Sequence, residues 1–191
     1  MLAAGAGRRF GGAKLTTPWR GGVLLDGALG AAFAAPVWRV TVVSGADPQV
    51  PIAAQAWAAA RGFEPRLRLI HAQAHEEGIS ASLRAGVGAL APDCQGVFIF
   101  LGDMPLVPKF LALQLARALA AGALAAAPSF RGRRGHPVLF SRALFHALGD
   151  SVGDEGARSA LAGIGQGLSL IEVEDPGVLT DVDRASDLPC G

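Results

Sequence analysis

The segment that decides the fold is VFIFLGDMP, which runs from Val97 to Pro105. Its first five residues are all apolar, a pattern typical of a strand that is buried on both faces of a sheet. The carboxylate of Asp103 follows at the carboxyl end of this strand, where open α/β sheets bind their ligands. The segment therefore predicts a buried strand from Val97 to Leu101 that presents Asp103 to a ligand.

Similar short apolar or β-branched runs recur along the chain and alternate with longer helical patterns. Helices are predicted to begin near Ser80 and near Pro108, because leucines and valines recur after both residues at helical spacing. This alternation predicts an α/β fold with a mostly parallel central sheet. With 191 residues, we expect one domain over 1–191. The other predicted strands are 40–43, 67–70, 123–127, 138–140 and 169–173.

The composition excludes several classes of protein. A formal net charge of +1 leaves no broad basic surface for nucleic acid. Cys94 and Cys190 are too few for a disulfide framework and have no metal-binding spacing, so we expect a cytoplasmic protein. The alanine-rich stretch from Phe110 to Ala127 is interrupted by polar residues and predicts an amphipathic helix, not a membrane span. We expect neither nucleic acid nor a membrane as a partner.

A glycine-rich segment, LAAGAGRRFGGAKL, runs from Leu2 to Leu15. Its glycines can take positive φ and leave backbone N–H groups free for phosphate oxygens, while Arg9 and Lys14 supply positive charge. The segment matches neither the GxGxxG dinucleotide pattern nor the Walker pattern. On residue type alone, both a phosphate-binding loop and a structural turn stay open.

The strand before this loop is predicted to be short. A buried strand of about five residues is usual, yet only Met1 to Ala4 precede Gly5. Either the first strand is unusually short or it begins before Met1.

The other acidic candidates lie near the end of the chain, at Asp181 and Asp183. Their spacing puts both carboxylates on one side of an extended segment, from which they could hold one Mg²⁺ together with Asp103. The alternative for the pair is a solvated strand end followed by a helix cap. For Asp103, the alternative is a turn or capping role ahead of the helix at Pro108.

Three further segments carry polar candidates. Gly78-Ile-Ser80-Ala-Ser82 lacks the last glycine of a hydrolase elbow, so its hydroxyls either cap a helix or bind a ribose or base. The segment 130–136, FRGRRGH, is predicted to be a loop whose arginines bind a phosphate or are simply solvated. Asp154 to Arg158 is typical of a helix start and requires no further role.

Read together, these segments resemble the molybdenum cofactor cytidylyltransferase branch of the MobA-like nucleotidyltransferase superfamily. The resemblance covers nearly the whole chain and rests on the order of the motifs. They are LAAG with Arg9, Gly11 and Lys14, GGVLL (21–25), EEGISASLRAGV (76–87), LGDMP (101–105), GRRGHPVLF (132–140), GDEGAR (153–158) and DVD (181–183).

The resemblance implies a Rossmann-like three-layer sandwich of the nucleotidyltransferase, glycosyltransferase-A-like type. It implies transfer of CMP from CTP, or of a nucleotide from another NTP, to the phosphate of a molybdopterin-type acceptor, with Mg²⁺ as cofactor and a molybdoenzyme or its chaperone as a further partner. It implies catalytic roles for Arg9, Lys14 and Asp103, and Mg²⁺ ligands at Asp103, Asp181 and Asp183. The implied nucleotide-binding residues are Leu2, Ala3, Ala4, Gly5, Ala6, Gly7, Gly78, Ser80 and Ser82, and the implied acceptor-binding residues are Arg134, Gly135 and His136.

Other functions stay open beside this one. Relatives in the same superfamily transfer GMP or join nucleotides to sugar phosphates, although the GHP and GDEGAR segments look more like the cytidylyl branch. From a different class, the chain could be a non-catalytic nucleotide-binding module that delivers a cofactor. The presence of Lys14, Asp103, Asp181 and Asp183 argues against that class.

Overall fold

A computed structural model describes residues 1–188, so Cys190 lies outside the described residues. The strands are β1 (Leu2–Ala3), β2 (Pro18–Trp19), β3 (Gly22–Val23), β4 (Val40–Ser44), β5 (Leu67–His71), β6 (Gly96–Ile99), β7 (Ala125–Phe130), β8 (Arg133–Arg134), β9 (Val138–Ser141) and β10 (Leu168–Glu172). The helices are α1 (Leu25–Ala34), α2 (Gln49–Ala59), α3 (Ile79–Gly88), α4 (Leu111–Ala120), α5 (Phe145–Gly149) and α6 (Arg158–Ala162).

The central sheet consists of two groups of strands that meet at β1. On one side the order is β1, β4, β5, all parallel. On the other side the order is β6, β9, β7, β10, in which β9 runs antiparallel to both neighbours. A parallel bridge between Leu2 and Leu101 joins the two groups. The α/β fold is therefore confirmed, and the mostly parallel sheet contains two antiparallel strands, β9 and the short β8, which pairs with β7.

Helices cover both faces of this sheet, which confirms three layers. The alternation of side chains along each strand divides them between the two faces. In β7, Ala125 and Ala127 pack in the cluster formed by α3, α5 and α6, whereas Ala126 packs against α4. In β4, Val42 belongs to the cluster formed by α1 and α2, and Val43 lies on the α3 side.

The predicted strands agree with the observed ones to within two residues, except for β7, which starts and ends later than 123–127. The prediction of a loop over 130–136 is wrong in part, because β8 folds back on β7 as a hairpin. Its two turn residues, Arg131 and Gly132, have φ of 51° and 75°. Positive φ at both positions is what a two-residue hairpin turn requires.

For the alanine-rich stretch from Phe110 to Ala127, the prediction of one amphipathic helix is wrong at its end, whereas the prediction of a strand at 123–127 overlaps β7. Helix α4 ends at Ala120, and the following residues turn into β7. Within residues 1–188, no helix has both the length and the apolar character needed to cross a bilayer.

Candidate active site

The glycine-rich loop after β1 closes around one carbonyl oxygen. The backbone N–H groups of Phe10, Gly11 and Gly12 all donate hydrogen bonds to the Gly7 oxygen. These N–H groups are therefore used inside the loop, and the expectation that they are free for phosphate is wrong at these three residues. Gly7 has φ of +59°, and a Cβ there would lie 3.0 Å from the Lys14 Cβ, so the tight loop presses directly against Lys14.

Lys14 joins the two acidic segments of the chain. Its Nζ lies 2.8 Å from Asp103 Oδ2 and 3.7 Å from Asp183 Oδ1. Arg9 Nη1 lies 3.0 Å from Asp183 Oδ2. The side chain of Lys14 is only 13% exposed, so its ion pair with Asp103 is screened less than a surface pair. The N-terminal loop, the end of the β6 segment and the C-terminal tail thus meet at one ammonium group.

A backbone contact fixes the tail beside Asp103. The Val182 N–H donates to the Asp103 carbonyl oxygen at 3.0 Å, and the Val182 side chain is fully buried. Burial of Val182 anchors the residues on both sides of it. Asp183 consequently reaches Lys14, whereas Asp181 lines a separate cavity.

The expected three-carboxylate set is not assembled in this structure. Within residues 1–188, no group of three His, Cys, Asp or Glu side chains has the arrangement of a metal site. The tail at 181–183 is not a β-strand, so period-two alternation does not bring Asp181 to Asp103. Asp103 and Asp183 remain as two carboxylates that both lie against the Lys14 ammonium. This number suits Mg²⁺, which proteins bind through one or two carboxylates plus substrate phosphates.

A cavity of about 290 Å³ opens beside this cluster. It is lined by the predicted residues Leu2, Ala3, Ala4, Gly5, Gly7, Lys14, Gly78, Ser82 and Asp103. Ala6 and Ser80 do not line it. His75, Ile79 and Asp154 line it without having been predicted. We call it the first cavity.

Ser80 makes contacts that the sequence did not predict. Its side chain is fully buried, and its Oγ accepts a hydrogen bond from the Gly156 N–H at 3.1 Å. The Ser80 N–H in turn donates to the Gly153 carbonyl oxygen. Helix α3 has no side-chain cap, so the predicted capping role is wrong. Ser80 instead fastens the segment Gly153 to Gly156, which we call the acidic loop, onto the start of α3.

A second cavity of about 270 Å³ contains the predicted acceptor-binding residues Arg134, Gly135 and His136, together with Asp181 and Arg158. It shares Ile79, Leu101 and Asp154 with the first cavity, so the two are neighbours across one wall. The backbone approaches closely at Gly135, where an added Cβ would collide with the Val178 carbonyl oxygen.

His136 is the most perturbed side chain in the second cavity. Burial lowers the pKa of its imidazole, while a hydrogen bond to the Ile99 backbone and the charge of Asp103 oppose that shift. Its Nδ1 is buried and has no hydrogen-bond partner among residues 1–188. A neutral ring with an unpartnered nitrogen is a polar group available to a ligand in this cavity.

The residues that sequence reasoning missed belong mostly to the acidic loop. Asp154 lines both cavities, and Glu155 and Arg158 line the second. Sequence patterning attributed Asp154 and Glu155 to a helix start, but α6 begins only at Arg158. Gly153 and Gly156, with φ of 59° and 56°, bracket the acids. Two glycines flanking charged residues were the available signal of a functional loop.

Comparisons with known proteins bear on this site. The sequence model of the MobA-like NTP transferase domain matches residues 1–170. The chain is 32% identical over 194 residues to the purine catabolism protein PucB of Bacillus subtilis, covering 98% of this chain and 91% of that protein. It is 26% identical over 189 residues to the molybdenum cofactor cytidylyltransferase of Escherichia coli, with coverage of 98% and 91%.

The fold has close solved counterparts. The crystal structure of Rv0371c from Mycobacterium tuberculosis superimposes with a TM-score of 0.78 at 24% identity, covering 97% of this chain and 92% of that chain. A complex of Rv0371C with manganese gives a TM-score of 0.72 at 22% identity, with coverage of 97% and 92%.

Proposed function

This chain belongs to the MobA-like NTP transferase domain family, and from that premise we propose the transfer that it carries out. Membership makes it a nucleotidyltransferase. The proposed reaction moves CMP from CTP to the phosphate of a molybdenum-bearing molybdopterin and releases pyrophosphate. The observation that carries it is the meeting of Lys14, Asp103 and Asp183 beside the first cavity.

The chemistry needs no nucleophile from the protein. An oxygen of the acceptor phosphate attacks the α-phosphorus of CTP, a new P–O bond forms, and the bond from the α-phosphorus to the bridging oxygen breaks as pyrophosphate leaves. An ionised phosphate is already nucleophilic, so the protein acts by positioning and by neutralising charge. Lys14 lines the first cavity, and in the proposal its ammonium neutralises charge on the phosphate oxygens.

The carboxylates of Asp103 and Asp183 would hold Mg²⁺. Nucleotidyltransferases commonly use divalent metals, and the manganese complex of the Rv0371C structure accords with this. When bound, the ion neutralises the charge that develops on the phosphate oxygens. Arg9, which pairs with Asp183 at 3.0 Å and is largely exposed, would hold that carboxylate and reach the triphosphate.

The two neighbouring cavities support a two-substrate reaction. In the proposal, the nucleotide occupies the first cavity, and the acceptor occupies the second, against Arg134, Gly135 and His136. The wall that they share includes Asp154, so the acidic loop would lie beside both substrates. The reacting atoms would meet at this wall, near Leu101.

The relative with 32% identity is a purine catabolism protein, PucB, which favours a second candidate. In that second candidate, the chain carries out the same nucleotidyl transfer as a step of purine degradation. In the guanylyl and sugar-phosphate alternatives, Lys14, Asp103 and Asp183 have the same roles. Only the base of the NTP or the acceptor is different. A non-catalytic delivery module would bind nucleotide without releasing pyrophosphate.

The deciding experiment measures pyrophosphate from each NTP with loaded molybdopterin or a sugar phosphate as acceptor. Release with CTP and molybdopterin alone supports the proposal, while release with GTP, or with a sugar phosphate, supports the corresponding alternative. No release with any pair would overturn the enzymatic proposal. Asp103→Asn should lower the rate by about 10²-fold or more. Its matched control is Asp150→Asn, because Asp150 is exposed and pairs only locally with His146.

A further inference from the structure

Asp181 lies in the second cavity, apart from the carboxylates that would hold Mg²⁺. The Val182 side chain between the two aspartates of the DVD motif is fully buried, and its N–H donates to the Asp103 carbonyl oxygen. Asp183 lies 3.7 Å from the Lys14 ammonium, whereas Asp181 lines the second cavity. The two carboxylates of the motif therefore lie in different parts of the protein.

The tail is anchored on both sides of Asp181. The His136 N–H donates to the Val178 carbonyl oxygen at 2.9 Å, and the Val178 side chain is fully buried. After Asp181, buried Val182 is bonded to the backbone of Asp103. These contacts keep the carboxylate of Asp181 at the cavity wall, although its side chain is exposed.

The second cavity contains charged side chains of both signs that do not neutralise one another. Its positive groups are Arg134 and Arg158, and its negative groups are Asp154, Glu155 and Asp181. Within residues 1–188, none of these side chains forms an ion pair or a hydrogen bond. Opposite charges that are held apart in one cavity can each bind a different part of a ligand.

The balance of these charges limits what the ligand can be. The carboxylates outnumber the arginines, and His136 adds no charge at neutral pH because burial lowers the pKa of its imidazole. A free phosphate ion would therefore meet net negative charge, which disfavours its binding. A ligand that fits both signs carries a phosphate for the arginines and several N–H or O–H groups for the carboxylates.

His136 supplies a separate indication that a ligand completes this cavity. Its ring lines the same cavity as Asp181, and its Nδ1 is buried without a hydrogen-bond partner among residues 1–188. Buried polar atoms in folded proteins nearly always have a partner. The unpartnered nitrogen is thus a second place where a polar group of the ligand can bond.

We propose that Asp181 recognises the ring of the acceptor and is not a ligand of the metal. Its two oxygens accept two parallel N–H bonds from a heterocycle in which a ring N–H stands beside an amino group, the same pair of donors that a guanidinium presents to a carboxylate. Arg134 and Arg158 bind the phosphate of the same molecule. Recognition in this form rests on the proposed function, and it selects a phosphorylated heterocycle against a sugar phosphate.

The first test measures the binding of two phosphate esters without turnover. They are metal-free molybdopterin, which has such a ring, and glucose 1-phosphate, which has hydroxyls in its place. The wild-type protein should bind molybdopterin at least about tenfold more tightly than glucose 1-phosphate. Asp181→Asn replaces an acceptor oxygen with an N–H₂ group, so it should weaken molybdopterin binding by about tenfold or more and leave glucose 1-phosphate binding unchanged.

Two controls accompany these titrations. Glu174→Gln is the matched variant, because it removes one negative charge from an exposed side chain of the same tail that lines neither cavity. Asp181 is also exposed, so Asp181→Asn should leave the melting temperature unchanged. Each titration is run with and without a CTP analogue that has a methylene bridge between its α- and β-phosphates, so that an acceptor that binds only after the nucleotide is also detected.

The second test separates recognition of the acceptor from metal binding. Binding of Mn²⁺ in the presence of the same CTP analogue is followed by the paramagnetic resonance of the free ion. Asp183→Asn should weaken Mn²⁺ binding by about tenfold or more and leave molybdopterin binding unchanged. Asp181→Asn should have the opposite pattern, with Mn²⁺ binding unchanged.

Two results would overturn the proposal. One is a loss of Mn²⁺ binding in Asp181→Asn as large as that in Asp183→Asn, which would make Asp181 a metal ligand. The other is molybdopterin binding that is absent, no tighter than that of glucose 1-phosphate, or unchanged in Asp181→Asn.

Neither test measures pyrophosphate, so the two proposals can fail separately. Pyrophosphate release together with molybdopterin binding that Asp181→Asn does not change would leave the transfer reaction intact and remove Asp181 from acceptor recognition. The expected binding results without any pyrophosphate release would leave the role of Asp181 intact and remove the enzymatic reaction.

Discussion

At the residue scale, Lys14 is the group on which the site depends. It neutralises Asp103 at 2.8 Å and lies 3.7 Å from Asp183, while its short distance from Gly7 keeps its stem fixed. Two carboxylates near one ammonium form a cluster of low net charge in the absence of substrate. A triphosphate entering the first cavity meets a cation that is already in position, and no reorganisation is needed at the moment of reaction.

We predict that Lys14→Met lowers kcat/KM for CTP by about 10²-fold, because the ammonium no longer neutralises charge in the transition state. Pyrophosphate release at several CTP concentrations separates the loss of binding from the loss of turnover. The matched control is Lys109→Met, since Lys109 is the other lysine of the chain and is exposed. Wild-type kinetics in Lys14→Met would remove this residue from the mechanism.

Residue chemistry alone identified part of this site. Asp103 follows an apolar run and Lys14 closes a glycine-rich loop, so local sequence was sufficient to select them. Asp154 could not be selected in this way, because its place beside both cavities arises from the packing of the acidic loop on α3. Ser80 carried the right polarity, but only the fold reveals that its hydroxyl is buried under Gly156.

At the scale of elements, the acidic loop and the start of α3 form one unit. Gly78, with φ of +103°, has no room for a side chain, since a Cβ there would lie 2.8 Å from the Gly153 oxygen. Ser80 bonds both ends of the loop, through Gly153 and Gly156. Because the loop carries Asp154 and Glu155 and leads into Arg158, its attachment fixes one side of the second cavity.

We predict that Ser80→Ala destabilises the protein by about 1–3 kcal/mol, because the buried Gly156 N–H loses its partner. The melting temperature should fall by several degrees, and the KM for the acceptor should rise more than the KM for CTP. Thermal unfolding and steady-state kinetics measure both effects. Ser159→Ala is the matched control, since its exposed hydroxyl makes only a 3.4 Å bond to Gly156. An acceptor KM that does not change would contradict the role of this attachment.

The positions of helices and strands were predictable where the apolar residues of the sequence have a strong periodicity. The prediction failed where backbone geometry determined the structure. The apolar run from Val97 predicts a strand, which the structure shows as β6. The helical spacing of Leu111 and Leu115 predicts the face of α4 that is buried. The hairpin at Arg131 was missed because arginine is an unusual residue for positive φ, so the segment lacked the Asn-Gly signal of such turns.

At the scale of the whole molecule, the sheet has a narrow centre. The 2 residues of β1 are the link through which β4 meets the β6 group. The same short strand leads into the glycine-rich loop, so the candidate site lies at its carboxyl end. The sequence predicted this short first strand, but not that β1 would link the two groups, because strand pairing depends on the register of both neighbours.

The buried Met1 amino group gives the chain that begins there a distinct pH dependence. Its pKa is about 5 in the folded state against 8.0 in the unfolded state, so between these values the unfolded chain binds more protons. Stability should therefore rise with pH from about 5 to 8 and level off above 8, by about 4 kcal/mol in all, at 1.36 kcal/mol per pKa unit. His136, with a pKa below 6.5, adds a slope of the same sign only under pH 6.5. The window from 6.5 to 8 thus isolates Met1, and urea unfolding across it measures the effect. Equal stability at pH 6.5 and pH 8 would contradict the burial of the Met1 amino group.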